Sequence, residues 1–119
     1  MKKTAKLLIR KFNVYLADLN PRMGTEAGKT RPVVVVQTDL LNIAHPSTIV
    51  CPLTTTVIPE SIFLRIHLRK GETGLTRASD IMVDQIRAID NRRFLKRLGI
   101  ISQANKMTLL NNLREIIQN

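Results

Sequence analysis

The run Pro32-Val33-Val34-Val35-Val36-Gln37 has no polar side chain to turn toward water before Gln37, so it reads as a β-strand buried on both faces. Such a strand needs neighbours at both edges and a layer on each side, and the flanking sequence supplies them. Upstream, Val14–Leu19 alternates around Tyr15 and stops at Asn20-Pro21, and residues 20–31 carry two glycines and a proline and read as a long loop. Downstream, Asp39 is placed to cap a short helical turn over Leu40–Asn42. Thr48–Leu53 is a second buried strand, with Pro52 marking its end or an edge position. In Phe63–Leu68, Leu64, Ile66 and Leu68 face one way, while Phe63, Arg65 and His67 face the other. His67 reads as a plain surface residue. Gly71 to Gly74 supply a turn, and Ile81–Ile89 is a last apolar strand bent near Asp84-Gln85. A short basic helix over Arg92–Leu98, stopped by Gly99, is expected next. Ser102 then caps a helix to about Gln118. Leu109, Leu110, Leu113, Ile116 and Ile117 make one apolar stripe on it, to dock on the sheet or on a partner chain. The expected fold is mainly β with a C-terminal helix, in a small, strongly bent sheet or barrel.

The 119 residues make one domain: a basic N-terminal arm over 1–11, the β-barrel over 12–90 and a helical C-terminal part over 91–119. The chain is 44% hydrophobic, enough for a packed core. Its 19 Lys+Arg against 9 Asp+Glu leave +10, which calls for a polyanionic partner. The charge is unevenly placed. Residues 1–31 hold eight Lys/Arg and two acids, residues 32–64 hold no Lys or Arg, and residues 65–97 hold nine Lys/Arg and four acids. A cation-free apolar middle is thus flanked by basic segments. The single cysteine, Cys51, sits in an apolar run and reads as core filling in a reducing, cytoplasmic setting. The apolar run Leu7–Ile9 is too short for a signal peptide, and no segment reaches the roughly 18–20 apolar residues of a membrane span, so no membrane partner is expected.

Candidate chemistry narrows by elimination. His45 and His67 have no carboxylate at ligand spacing, and the acids are scattered, so neither a metal nor a cofactor is expected. Gly24-Thr25-Glu26-Ala27-Gly28-Lys29-Thr30 ends like a phosphate-binding loop, but it has three residues between its glycines and precedes a strand rather than a helix. What remains are polar residues just outside the buried strands: Arg31 before the valine run, Thr54, Thr55 and Thr56 after Leu53, and Thr25 and Glu26 in the glycine loop. An arginine fork with threonine hydroxyls at strand ends makes a phosphate site.

Four stretches then carry a resemblance: Val14-Tyr15-Leu16-Ala17-Asp18-Leu19-Asn20-Pro21, Gly24-Thr25-Glu26 through Arg31-Pro32-Val33-Val34-Val35, Ile49-Val50-Cys51-Pro52-Leu53-Thr54 and Asp84-Gln85-Ile86-Arg87-Ala88-Ile89-Asp90. In order and spacing the chain resembles the MazF/PemK/Kid family of toxin–antitoxin ribonucleases over about residues 10–118. The resemblance implies an SH3-like small barrel working as a homodimer, and metal-independent, sequence-specific cleavage of single-stranded RNA that inhibits translation and growth. It also implies inhibition by a cognate acidic antitoxin, with promoter DNA bound only through the toxin–antitoxin complex. Carried over, the family's essential arginine and threonine are Arg31 and Thr54, its loop glutamate is Glu26 and the variable residue before it is Thr25. The acid proposed as a base in the Kid branch is Asp84. Lys29, Thr55, Thr56 and Arg87 join the expected RNA-binding set. Two departures stand out. Met82 replaces an arginine of the Kid branch, which favours Arg31 with Thr54. Arg10-Lys11-Phe12-Asn13 replaces the usual Arg-Gly-acid opening, which adds charge and bulk near the loop that follows.

Two other readings share the fold or the charge. CcdB-type toxins use this fold to poison DNA gyrase without cutting nucleic acid, and a non-catalytic nucleic-acid binder needs only the basic surface. The Arg31/Thr54 pair favours RNA cleavage, because a gyrase binder has no need of a phosphate clamp.

Overall fold

The computed structural model describes residues 7–21, 23–25, 28–61 and 63–118. Among these, seven strands and two α-helices follow in the order β1 (Asn13–Asp18), β2 (Thr30–Val35), α1 (Asp39–Asn42), β3 (Ser47–Thr54), β4 (Arg65–Leu68), β5 (Ser79–Met82), β6 (Arg87–Asp90), β7 (Phe94–Ile100) and α2 (Gln103–Gln118). They build one antiparallel sheet ordered β4-β5-β3-β2-β1-β7. β6 shares the outer edge of β3 with β5: Ser47–Val50 pair β6, and Leu53–Thr54 pair β5. Pro52, which has no N–H to donate, falls where that edge changes partner, so it marks neither an end nor an edge strand.

The valine run is buried on both sides. Val33 and Val35 pack with Tyr15, Val50, Ile89 and Phe94, while Val34 packs with Val14, Cys51, Leu53, Ile81 and Leu109 in a second cluster. α2 covers that second cluster with Leu109 and Leu113. Its N-terminus is capped as expected, the Asn105 amide donating to the Ser102 hydroxyl. The apolar stripe outruns the sheet, however: Ile117 is 75% exposed.

Three local expectations are corrected. Residues 92–98 are not helical: Asn91–Arg93 form one 3-10 turn and Phe94–Ile100 are β7, drawn to the open edge of β1. Gly99 therefore does not stop a helix. It is small because the Glu72–Gly74 turn lies on it; a Cβ there would come within 2.8 Å of the Thr73 main chain. A Cβ on Gly74 would lie 2.1 Å from the Leu98 carbonyl oxygen, and Gly74 has φ +73°. Through this contact the two ends of an otherwise open, bent sheet meet. The cap of α1 is Thr38, whose hydroxyl accepts from the Leu40 amide; Asp39 instead accepts from the Lys11 amide and from Asn42. Arg10 and Lys11 are tied to the sheet and to α1 through their amides. The Tyr15 hydroxyl donates to the Leu8 carbonyl and accepts from the Arg10 amide, seating Ile9 in the core.

Phe12 stands at φ +67°, a backbone region that favours glycine, with the Lys11 and Lys106 ammoniums 4.9 and 5.6 Å from its ring centre. Its amide donates to the Val35 carbonyl at the end of β1 away from residues 20–31, so its bulk is not near that loop.

Candidate functional site

Antiparallel pairing puts the start of β2 beside the end of β3. The register matches Val33 with Pro52 and Val34 with Cys51, which brings Arg31 level with Thr54. The Arg31 guanidinium is held from both sides, Nε donating to the Gly28 carbonyl at 2.8 Å and Nη1 to the Leu53 carbonyl at 3.2 Å. Main-chain oxygens thus fix the plane of the fork. The Thr54 hydroxyl accepts from the Thr56 amide at 3.1 Å, a short side-chain turn at the end of the strand.

A cleft of about 250 Å³ opens at this junction, lined by Lys29, Thr30, Arg31, Pro32, Leu53, Thr54, Thr55, Thr56 and Ser79. Five of the residues singled out in the sequence therefore meet there: Lys29, Arg31, Thr54, Thr55 and Thr56. Thr25, Asp84 and Arg87 do not line it. Gln85, on the turn that carries Asp84, donates to the Thr25 carbonyl at 3.2 Å, which ties that turn to the glycine loop. Arg87 lies in β6 opposite Val50. The expectation for Glu26 falls outside the described residues. Met82, at the Kid-branch arginine position, packs half-buried against the apolar cluster around Tyr15.

Asp80 was not singled out by sequence. It lies directly across from Thr54 in the β3–β5 ladder, is fully buried, and accepts from the Ile58 amide (3.0 Å), Arg65 (3.1 Å) and His67 (2.6 Å). Burial alone raises its carboxyl pKa, but the Ile58 amide, His67 and Arg65 outweigh burial and hold it below the usual carboxylate range. His67 is thus no plain surface residue: its other nitrogen meets the Ser61 carbonyl at 2.9 Å. The available signal was a lone acid in the strand Ser79-Asp80-Ile81-Met82, with Arg65 and His67 sharing one face of β4. Cys51 is core: burial, with a smaller effect of the nearby Asp84 charge, pushes its thiol up to about 12. Among the described residues no three His, Cys, Asp or Glu side chains converge at metal-ligand spacing.

Fold and cleft define a small β-protein that presents an arginine fork and a row of hydroxyls at one strand junction. A family model described as "PemK-like, MazF-like toxin of type II toxin-antitoxin system" matches residues 10–117, and the chain belongs to that family. It is 36% identical over 109 residues to the endoribonuclease MazF of Staphylococcus epidermidis, covering 92% of this chain and 90% of the relative. Among solved structures, MazF from Deinococcus radiodurans superposes with a TM-score of 0.80 at 18% identity, covering 94% of this chain and 98% of that one. A mycobacterial endoribonuclease solved with its cognate antitoxin gives 0.74 at 18% identity, covering 92% and 95%. The fold expected from sequence, a mainly β, bent antiparallel sheet with a C-terminal helix, is the one these neighbours share.

Proposed function

We propose that this toxin is an endoribonuclease that cleaves single-stranded RNA in the Arg31–Thr54 cleft without a metal. The observation that carries the reading is the convergence of Arg31, Thr54, Thr55, Thr56 and Lys29 on one cleft in a chain of this family. Endoribonuclease MazF relatives at 36% identity support the activity. RNA brings its own nucleophile, the 2′-OH, so the protein needs only to take its proton, stabilise the pentacoordinate phosphorus and protonate the leaving 5′-oxygen. The products are a 2′,3′-cyclic phosphate and a 5′-OH end. Arg31, a permanent cation aimed by two carbonyls, is the charge-stabilising group. Thr54 donates its hydroxyl to a phosphate oxygen. The proton acceptor is drawn from Glu26 and Asp84. Lys29, Thr55 and Thr56 line the RNA path, with Thr25 and Arg87 at its margins.

The protein works as a homodimer in the cytoplasm. It is neutralised by an acidic antitoxin competing for the same basic face, and it meets promoter DNA only in that complex. Among the described residues no helix is long and apolar enough to cross a membrane. Arg31→Ala and Thr54→Ala are each expected to cut RNA at least ~10²-fold more slowly while melting cooperatively. A folded Arg31→Ala protein with full activity overturns the assignment, and growth arrest without RNA cleavage moves the protein to the gyrase-poison class.

A further inference from the structure

Thr54 is followed by a segment, residues 55–64, whose first two residues line the cleft and which has no regular secondary structure among its described residues. Loop main chain rarely keeps one arrangement unless something fixes it. Here one carboxylate is the common anchor. Asp80 Oδ2 accepts from the Ile58 amide and from Arg65 Nη1, and the same Arg65 nitrogen donates to the Thr56 carbonyl at 3.0 Å. Asp80 Oδ1 meets His67 Nδ1, whose ring reaches the Ser61 carbonyl through Nε2. The segment is thus tied at residues 56, 58 and 61 to a single buried acid. At its head, the Thr56 amide occupies an acceptor lone pair of the Thr54 hydroxyl.

We propose that Asp80, with Arg65 and His67, is a positioning residue that sets the direction of the Thr54 hydroxyl in the cleft. A buried ion cluster is a weak source of stability, since apolar side chains of equal volume fill such space as well. What a fully satisfied cluster does supply is one arrangement of the groups it binds. Thr56 lies between this cluster and Thr54: its carbonyl accepts from Arg65, and its amide donates to the Thr54 hydroxyl. With that lone pair occupied, the threonine proton is directed away from Thr56. Loss of the anchor frees the main chain at Thr56 to move, and the Thr54 hydroxyl loses its aim while Arg31, held separately by Gly28 and Leu53, keeps its own.

The proposal rests on the reading of Thr54 as a phosphate donor, and its test separates the two. Full-length Asp80→Asn, His67→Gln and Thr54→Ala proteins are compared with wild type on a fluorescent single-stranded RNA oligonucleotide that wild type cuts. Cleavage rate at saturating protein, RNA affinity and thermal unfolding are measured for each. Folded Asp80→Asn is expected to lose at least about tenfold in rate at saturation, with affinity within about threefold of wild type. His67→Gln, at a half-exposed position, is expected to show a smaller loss in the same sense, and it carries the test if Asp80→Asn does not fold. Full rate in the folded variants, or a loss confined to affinity, overturns the positioning role. Thr54→Ala cutting at full rate overturns the reading of the cleft itself. An inactive Thr54→Ala beside a fully active Asp80→Asn overturns the anchor alone.

Discussion

At the scale of single residues, the cleft joins one cation with several neutral donors. Arg31 is set by one carbonyl of the preceding loop and one of β3, so its planar fork is oriented in advance. The buried acid behind Thr54 makes a pH prediction. The Asp80 carboxyl is held below its ordinary value, so its contribution to stability is present above about pH 4 and is lost as pH falls through the lowered folded-state value. Asp39 and Asp90 are lowered as well, Asp90 to about 2 through its bonds to Arg92, and they add to the same acid slope. Melting temperature measured from pH 5 down to pH 2 is therefore expected to fall less steeply in Asp80→Asn than in wild type. Equal slopes would show that the carboxylate is not linked to folding. Arg31 and Thr54 were legible in the sequence because each sits at the border of an apolar run, where a polar side chain has to emerge. Asp80 and His67 were not. Strand alternation says which face a residue takes but not what stands across from it, and the Thr54–Asp80 register exists only in the folded sheet.

Among the elements, the strands around the valine run were readable because continuous burial leaves little choice of structure. β7 was not. Phe94-Leu95-Lys96-Arg97-Leu98-Gly99 contains good helix formers and a glycine at a plausible end, and only the unpaired edge of β1 makes it a strand. The same placement explains Gly74 and Gly99, which let the Glu72–Gly74 turn lie directly on β7. Gly74→Ala forces a Cβ into the Leu98 carbonyl at a left-handed φ. It is expected to destabilise the protein by about 2 kcal/mol or more in urea unfolding. A neutral result would mean that the turn moves off β7 at little cost, and that the sheet ends are not held there. The α2 stripe was legible as far as Leu113. Beyond it Ile117 stays exposed in the single chain, at the end of a stripe expected to dock on the sheet or on a partner chain.

Over the whole molecule, the excess of +10 is divided by a cation-free core, and Arg31 stands at the first border of that core. The fold turns this linear pattern into a surface: basic loop, strand ends and threonines converge on one cleft of a toxin-family sheet. In the proposed reaction, charge far from the cleft draws in RNA, and the arginine and hydroxyls within it act on one phosphate. The most direct measurement is cleavage of single-stranded RNA by the purified protein in EDTA, with both new ends analysed chemically. The account predicts undiminished cutting that leaves a 2′,3′-cyclic phosphate and a 5′-OH, abolished by Arg31→Ala. Cutting that requires a divalent metal, or that leaves a 5′-phosphate and a 3′-OH, would contradict it.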